Sequence, residues 1–313
     1  MAERPLKGIL DREEARAIVE AHFAAQLAFL RDLANYGSNL IYRAFDSSPR
    51  QWTDVVLCGV LLKQAVAMVD GVEVLLSAGC GHAAFLPART AFEASIYAEW
   101  ILKADSERRA RRYIVGNYRE DRRWALRSIP GTSDEIAIRQ LTEMLGFNVH
   151  KDRPTLGDEG RARLIDIDEV LSQPLLAEID KEYNDALAGA KKRKYDFEWY
   201  QLGGGPTSIR KLAENVGRLP EYEFFYSKGA RVSHTGAYRD HLRFVSGQIR
   251  FVPIRNLEDL KTVVSFVGTV ALRLYRTVLG RYRPSELDGD FRRRYLEDWR
   301  EAFQNIKGVN YKY

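Results

Sequence analysis

The 313-residue chain is poor in the side chains that most often announce chemistry, with two cysteines, five histidines and three methionines. Cys58 and Cys80 lie in apolar surroundings and outside any Cys-x-x-Cys spacing. Two thiols cannot frame a chain of this length, which excludes a disulfide scaffold and points to a reducing, cytoplasmic compartment. His22, His82 and His150 stand at no metal-ligand spacing and no His-Glu-x-x-His occurs, so neither a metal site nor a cofactor is expected. No nucleophile elbow or kinase signature is present. Gly203-Gly204-Gly205 lacks the Lys-Ser/Thr that completes a phosphate loop. The opening Met1-Ala2-Glu3-Arg4-Pro5 has no apolar core, so no signal peptide is expected. Uninterrupted apolar runs are also missing. Val55 to Leu76 is broken by Lys63, Asp70 and Glu73, and Thr262 to Leu272 is short of the ~20 residues that cross a bilayer. No membrane span is expected. Internal repeats are absent, and strand-like patterning is confined to one stretch, Phe244 to Val252.

What the sequence does have is helical period. With 45% hydrophobic and 29% charged residues it has the balance of a folded protein rather than a disordered one. Val19, Phe23, Leu27, Leu30 and Leu33 follow Asp11 and Glu14 at three- and four-residue steps, giving one face of a helix to about Phe45. Gln51 to about Ala78 is apolar over much of its circumference and is expected to be central. Pro87 suits the first turn of a third helix carrying Arg89, Phe92, Glu93, Ile96 and Trp100. A fourth helix runs from Glu107 to about Arg127, and Thr132 with Glu135 opens a shorter one that Gly146 closes. Asn148 to Glu159 reads as irregular. Ile165 to about Leu187 is helical with a kink or break at Pro174, and Asn256 caps a strong helix through Val264 and Leu274. These patterns predict an all-α protein: one irregular multi-helix bundle over residues 1–313 with at most one short hairpin, residues 1–80 forming an N-terminal helical pair.

Three groups of residues stand out. Arg89 and Glu93 are four apart and share one helical face within an apolar context. They form either a structural ion pair or an anion-holding arginine oriented by a carboxylate. In Arg231-Val232-Ser233-His234-Thr235-Gly236 an arginine and a histidine lie close together after an aromatic run. His234 suits proton transfer near neutral pH and Arg231 suits a phosphate. Ser233 and Thr235 are placed to cap a following helix, which leaves a purely structural reading open. The third group is an arginine stripe. At about 100° per residue, Arg108, Arg111, Arg112, Arg119, Arg122 and Arg123 share about a third of one helix circumference. Such a face grips a nucleic-acid backbone or is simply solvated and balanced by acids. The net charge of +5 permits phosphate contact without requiring it.

Arg89-x-x-Phe92-Glu93, the Trp199 to Arg210 region, and Tyr222-x-x-x-Tyr226 followed by His234 together resemble a bacterial helical domain-of-unknown-function family, number 5677. The resemblance spans about Phe85 to Asp240. The family pattern carries a serine four residues before the histidine, where this chain has Ala230, with Ser233 nearby. The family's shape is similar to that of HEPN proteins, compact helical dimers that include metal-independent ribonucleases of toxin and phage-defence systems. In those enzymes an Arg and a His with four to six residues between them handle the scissile phosphate and its protons. Here Arg231 and His234 are separated by only two residues, and Lys228 has the right gap but is a point charge rather than a fork. The resemblance implies a homodimer that binds RNA or a nucleotide-like anion, with His234, Arg231, Arg89 and Glu93 as its site. A non-catalytic interaction module is the alternative.

Overall fold

The computed structural model describes residues 9–190, 196–233 and 238–308. The chain enters α1 (Arg12–Asp46), whose N-cap Asp11 accepts a hydrogen bond from the Glu14 amide at 2.9 Å. It continues through α2 (Trp52–Ser77), ended by Gly79 at φ +76, and α3 (Phe85–Lys103). Next come α4 (Ser106–Arg127), α5 (Glu135–Met144), α6 (Leu156–Leu171) and α7 (Pro174–Gly189). After them follow α8 (Ile209–Asn215), α9 (Ser227–Ser233), the hairpin β1 (Leu242–Val245) and β2 (Gln248–Phe251), and α10 (Leu260–Tyr282). The fold is all-α apart from that antiparallel hairpin, in which Phe244 pairs with Ile249. Ser246 and Gly247 turn it with φ of +51 and +77, as a tight right-twisting hairpin requires.

Backbone contacts group the chain into two compact units, residues 1–104 with 209–313, and residues 105–208. In the first unit, α1, α2, α3 and α10 pack on one another around Phe23, Leu30, Leu33, Leu57, Val69, Phe92, Val264 and Leu274, all fully buried. Two of these helices, Trp52–Ser77 and Leu260–Tyr282, are long and apolar enough to cross a membrane by length and composition. The charges that interrupt the first of them do not shorten it below that length. Half or more of each apolar window is buried inside the protein, which is how a core helix earns the same composition. In the second unit α4 packs against α6 and α7.

Several boundaries differ from expectation for local reasons. Asn148 to Glu159 is not irregular: Asn148 accepts from the Lys151 amide to start a single turn, Val149–Asp152, and α6 begins at Leu156. At Pro174, by contrast, the chain breaks as expected: α6 ends at Leu171 and Pro174 is the first residue of α7, where its missing N–H costs nothing. Asn256 does not cap α10. Its side chain accepts from the Glu258 amide in a local turn, and Asp259 directly precedes the helix.

Candidate functional site

The first unit holds a polar cluster where α3 meets α9. Gly229 sets the spacing of the two helices. A Cβ there would meet Arg89 Cβ at 3.2 Å and the Phe85 carbonyl oxygen at 3.3 Å, so any larger residue would push α9 away from α3 by a few tenths of an ångström. Residues Tyr222–Tyr226 lead into α9 through a wide π-type turn, in which the Ser227 amide donates to the Tyr222 carbonyl. Turns of this kind re-aim side chains and recur at functional sites. This one stacks Tyr222 on Tyr226, with ring centres 4.8 Å apart, and brings Tyr226 to α3.

Arg89 donates from Nε to Glu93 at 3.2 Å, from Nη1 to Ser233 Oγ at 3.0 Å and from Nη2 to the Tyr226 hydroxyl at 2.9 Å. Tyr226 in turn donates to Glu93 at 2.7 Å, and the Arg89 guanidinium carbon lies 4.6 Å from its ring centre. Arg89 and Glu93 are about a quarter exposed, so the cluster is open on one side. Burial, and then the bond to Glu93, push the Tyr226 hydroxyl far above the usual tyrosine range. Burial works against the charge of Arg89, but its bonds to Tyr226 and Glu93 outweigh this and its pKa rises. The cluster is thus a fixed cation beside a fixed phenol. Among the described residues, these bonds use three of the five guanidinium N–H groups.

The remaining catalytic expectations fall unevenly. Arg231 is exposed and makes no polar contact among the described residues, so it does not join Arg89. His234, with Thr235, Gly236 and Ala237, lies outside the described residues; it is the next residue after Ser233 in the chain. Of the helix expected after Ser233, the described residues hold only the single 3₁₀ turn Tyr238–Asp240. Ser233 ends α9, donating back to the Ala230 carbonyl at 2.9 Å, and Leu242 already belongs to β1.

The arginine stripe lies in the second unit and is matched by carboxylates. Arg108 and Arg112 share Glu182, and Arg108 also reaches Glu178. Arg111 bonds the Leu175 carbonyl and lies 3.9 Å from Glu178. Arg119 is held between Asp180 and Asp196. Arg122 pairs with Asp168, and Arg123 with Glu120. Four of the six therefore face α7 as an ion-pair ladder, with little charge left over for a polyanion.

Two groupings had no sequence signal. Arg218 has no exposed surface; it bonds Glu99 at 2.8 Å, Glu221 at 2.7 Å and Ser95 at 3.2 Å, while Arg273 also holds Glu99. Against the expectation of no metal spacing, His82, Asp240 and Asp259 bring one ligand atom each within 4.8 Å of one another. These residues are far apart in sequence and sit in turns, where periodicity says nothing.

Comparison with known proteins gives one match. Residues 54–248, more than half of the chain, fit the profile described as Family of unknown function (DUF5677), and the match contains every member of the Arg89 cluster. No curated protein and no solved structure matches the chain.

Proposed function

Starting from a chain that belongs to the DUF5677 family of unknown function, we propose that it binds RNA at the α3–α9 face and cleaves it without a metal ion. The observation that carries this reading is the Arg89 guanidinium. It is oriented by Glu93, Tyr226 and Ser233, is partly open to solvent, and keeps two N–H groups for a phosphate oxygen among the described residues. The chain passes from Ser233, bonded to that guanidinium, directly to His234. Arg231, exposed and unpaired among the described residues, adds positive charge three positions before the histidine.

In this reading His234 takes the proton of a ribose 2′-hydroxyl, whose oxygen attacks the adjacent phosphorus. The bond to the 5′-oxygen breaks, that oxygen takes a proton from water, and a 2′,3′-cyclic phosphate remains. Arg89 neutralises charge gathering on the phosphate oxygens, and Glu93 and Tyr226 keep its fork in place. This would make the chain a HEPN-like homodimeric ribonuclease of the toxin or phage-defence kind, acting in the cytoplasm. The test is labelled single-stranded RNA incubated in EDTA. Wild-type protein is expected to leave cyclic-phosphate ends, and His234→Ala to bind without cutting. RNA left intact by both, with no gel shift at low salt, overturns the reading.

One observation favours a second reading, a non-catalytic interaction module. Three Arg89 bonds are already spent inside the protein, as in a structural network that ties α9 to α3. There, Arg89→Ala lowers the melting temperature and RNA binding is absent at every salt concentration.

A further inference from the structure

His82 lies in the turn between α2 and α3, Asp240 in the single 3₁₀ turn Tyr238–Asp240, and Asp259 at the start of α10. Three separate elements thus converge on one point. His82 Nδ1 is buried and has no hydrogen-bond partner among the described residues. Asp240 Oδ2 is its neighbour at 3.7 Å, too far for a hydrogen bond. That separation is near the ~3.3 Å between two ligands of a tetrahedral ion with bonds of about 2.0–2.1 Å. All three donor atoms lie within 4.8 Å of one another. Buried nitrogens without partners are rare, and those that occur call for an explanation such as an ion.

The charge balance points the same way. Among the described residues, two carboxylates meet a single ammonium, Lys228, which bonds Asp259 and lies 5.0 Å from the Phe85 ring centre. Asp240 has no cation beside it other than, if protonated, His82 among the described residues. A second imidazole, His241, stands edge-on to His82 with ring centres 5.3 Å apart.

We propose that His82, Asp240 and Asp259 bind a first-row divalent cation. One nitrogen and two carboxylate oxygens suit Zn²⁺ or Mn²⁺ rather than a thiol-seeking ion. The ion joins the entrance of α3, the hairpin approach and the entrance of α10. Lys228 competes for Asp259, so ion binding also bears on α9, the helix that carries Ser233. No step of the proposed RNA cleavage runs through this ion.

Titration calorimetry of the full chain with ZnCl₂ and with MnCl₂ tests the site. One equivalent is expected to bind, with an accompanying rise in melting temperature. Asp240→Asn and His82→Ala should each weaken binding at least tenfold, while Lys228→Met should strengthen it. Circular dichroism checks that each variant folds, and Asp240→Asn, in an outer turn, decides the matter should His82→Ala not fold. No heat and no melting shift with either ion overturns the proposal, as does equal affinity in Asp240→Asn and wild type. RNA cleavage in EDTA is read separately, so either idea can fail alone.

Discussion

The Tyr226 hydroxyl donates to Glu93 at 2.7 Å while accepting from Arg89 at 2.9 Å, which closes a ring of polar contacts between α3 and the turn that leads into α9. Because the hydroxyl stays protonated, it acts as a donor at any ordinary pH. Tyr226→Phe keeps the stacking on Tyr222 and the contact with Phe92 but removes both bonds. Its expected cost is about 1–3 kcal/mol in urea unfolding, because partly buried partners lose their hydrogen bonds. RNA affinity should fall several-fold as Arg89 loses its anchor. Stability equal to wild type would show that the ring holds nothing together.

Arg112 and Glu182 are both less than one-fifth exposed, whereas Arg122 and Asp168 are each more than two-fifths exposed. Arg112→Ala should therefore destabilise the protein by about 1–3 kcal/mol. Arg122→Ala should change stability by at most ~1 kcal/mol, the worth of an exposed pair. If the stripe is a ladder rather than a ligand face, neither substitution changes RNA affinity more than twofold in a filter-binding assay. A tenfold loss with Arg122→Ala would return the stripe to a nucleic-acid role.

Glu99 takes hydrogen bonds from the wholly buried Arg218 and from Arg273. Glu99→Ala leaves a buried guanidinium short of its counter-charge, at an expected cost of ~3–5 kcal/mol. Chemical denaturation reads this directly. A loss below about 1 kcal/mol would mean that water or Glu221 replaces Glu99 at no cost.

Glu286 provides a pH test. Burial alone would raise its pKa, but hydrogen bonds from Arg43, Arg283 and Tyr36 outweigh that and hold it at about 2, against an ordinary 4.5. A depressed folded-state pKa stabilises the protein fully above the unfolded value and is lost as pH falls toward the folded one. Stability should thus decline between about pH 4.5 and pH 2, by roughly 3 kcal/mol from this group. In Glu286→Gln that part of the acid dependence disappears, as equilibrium unfolding at a series of pH values would show. An unaltered acid profile contradicts the assignment.

The helices were largely legible because burial writes a 3.6-residue period into α1, α2 and α3, while Gly79 ends α2 and Pro174 opens α7 at φ and N–H positions that suit those residues. Arg89 and Glu93 were visible as a pair because both lie on one helix. Their tie to Tyr226 and Ser233 was not, since it depends on a wide turn at Tyr222–Tyr226 and on the close approach allowed by Gly229. The arginine stripe was visible because its members share one helix, yet the α7 carboxylates that bind Arg108, Arg112 and Arg119 lie some 60–75 residues away in sequence. His82, Asp240 and Asp259 carry no periodic signal at all, because turns are positioned by tertiary packing.

If the Arg89 fork holds a phosphodiester, losing the fork while keeping the charge weakens RNA binding. Fluorescence anisotropy of a labelled single-stranded RNA, followed against salt for wild type and Arg89→Lys, tests it most directly. Lysine keeps the charge and loses the fork. Salt-dependent binding by wild type and at least tenfold weaker binding by Arg89→Lys are expected, with the melting temperature of the variant showing that it remains folded. Equal affinity in the two folded proteins would contradict it.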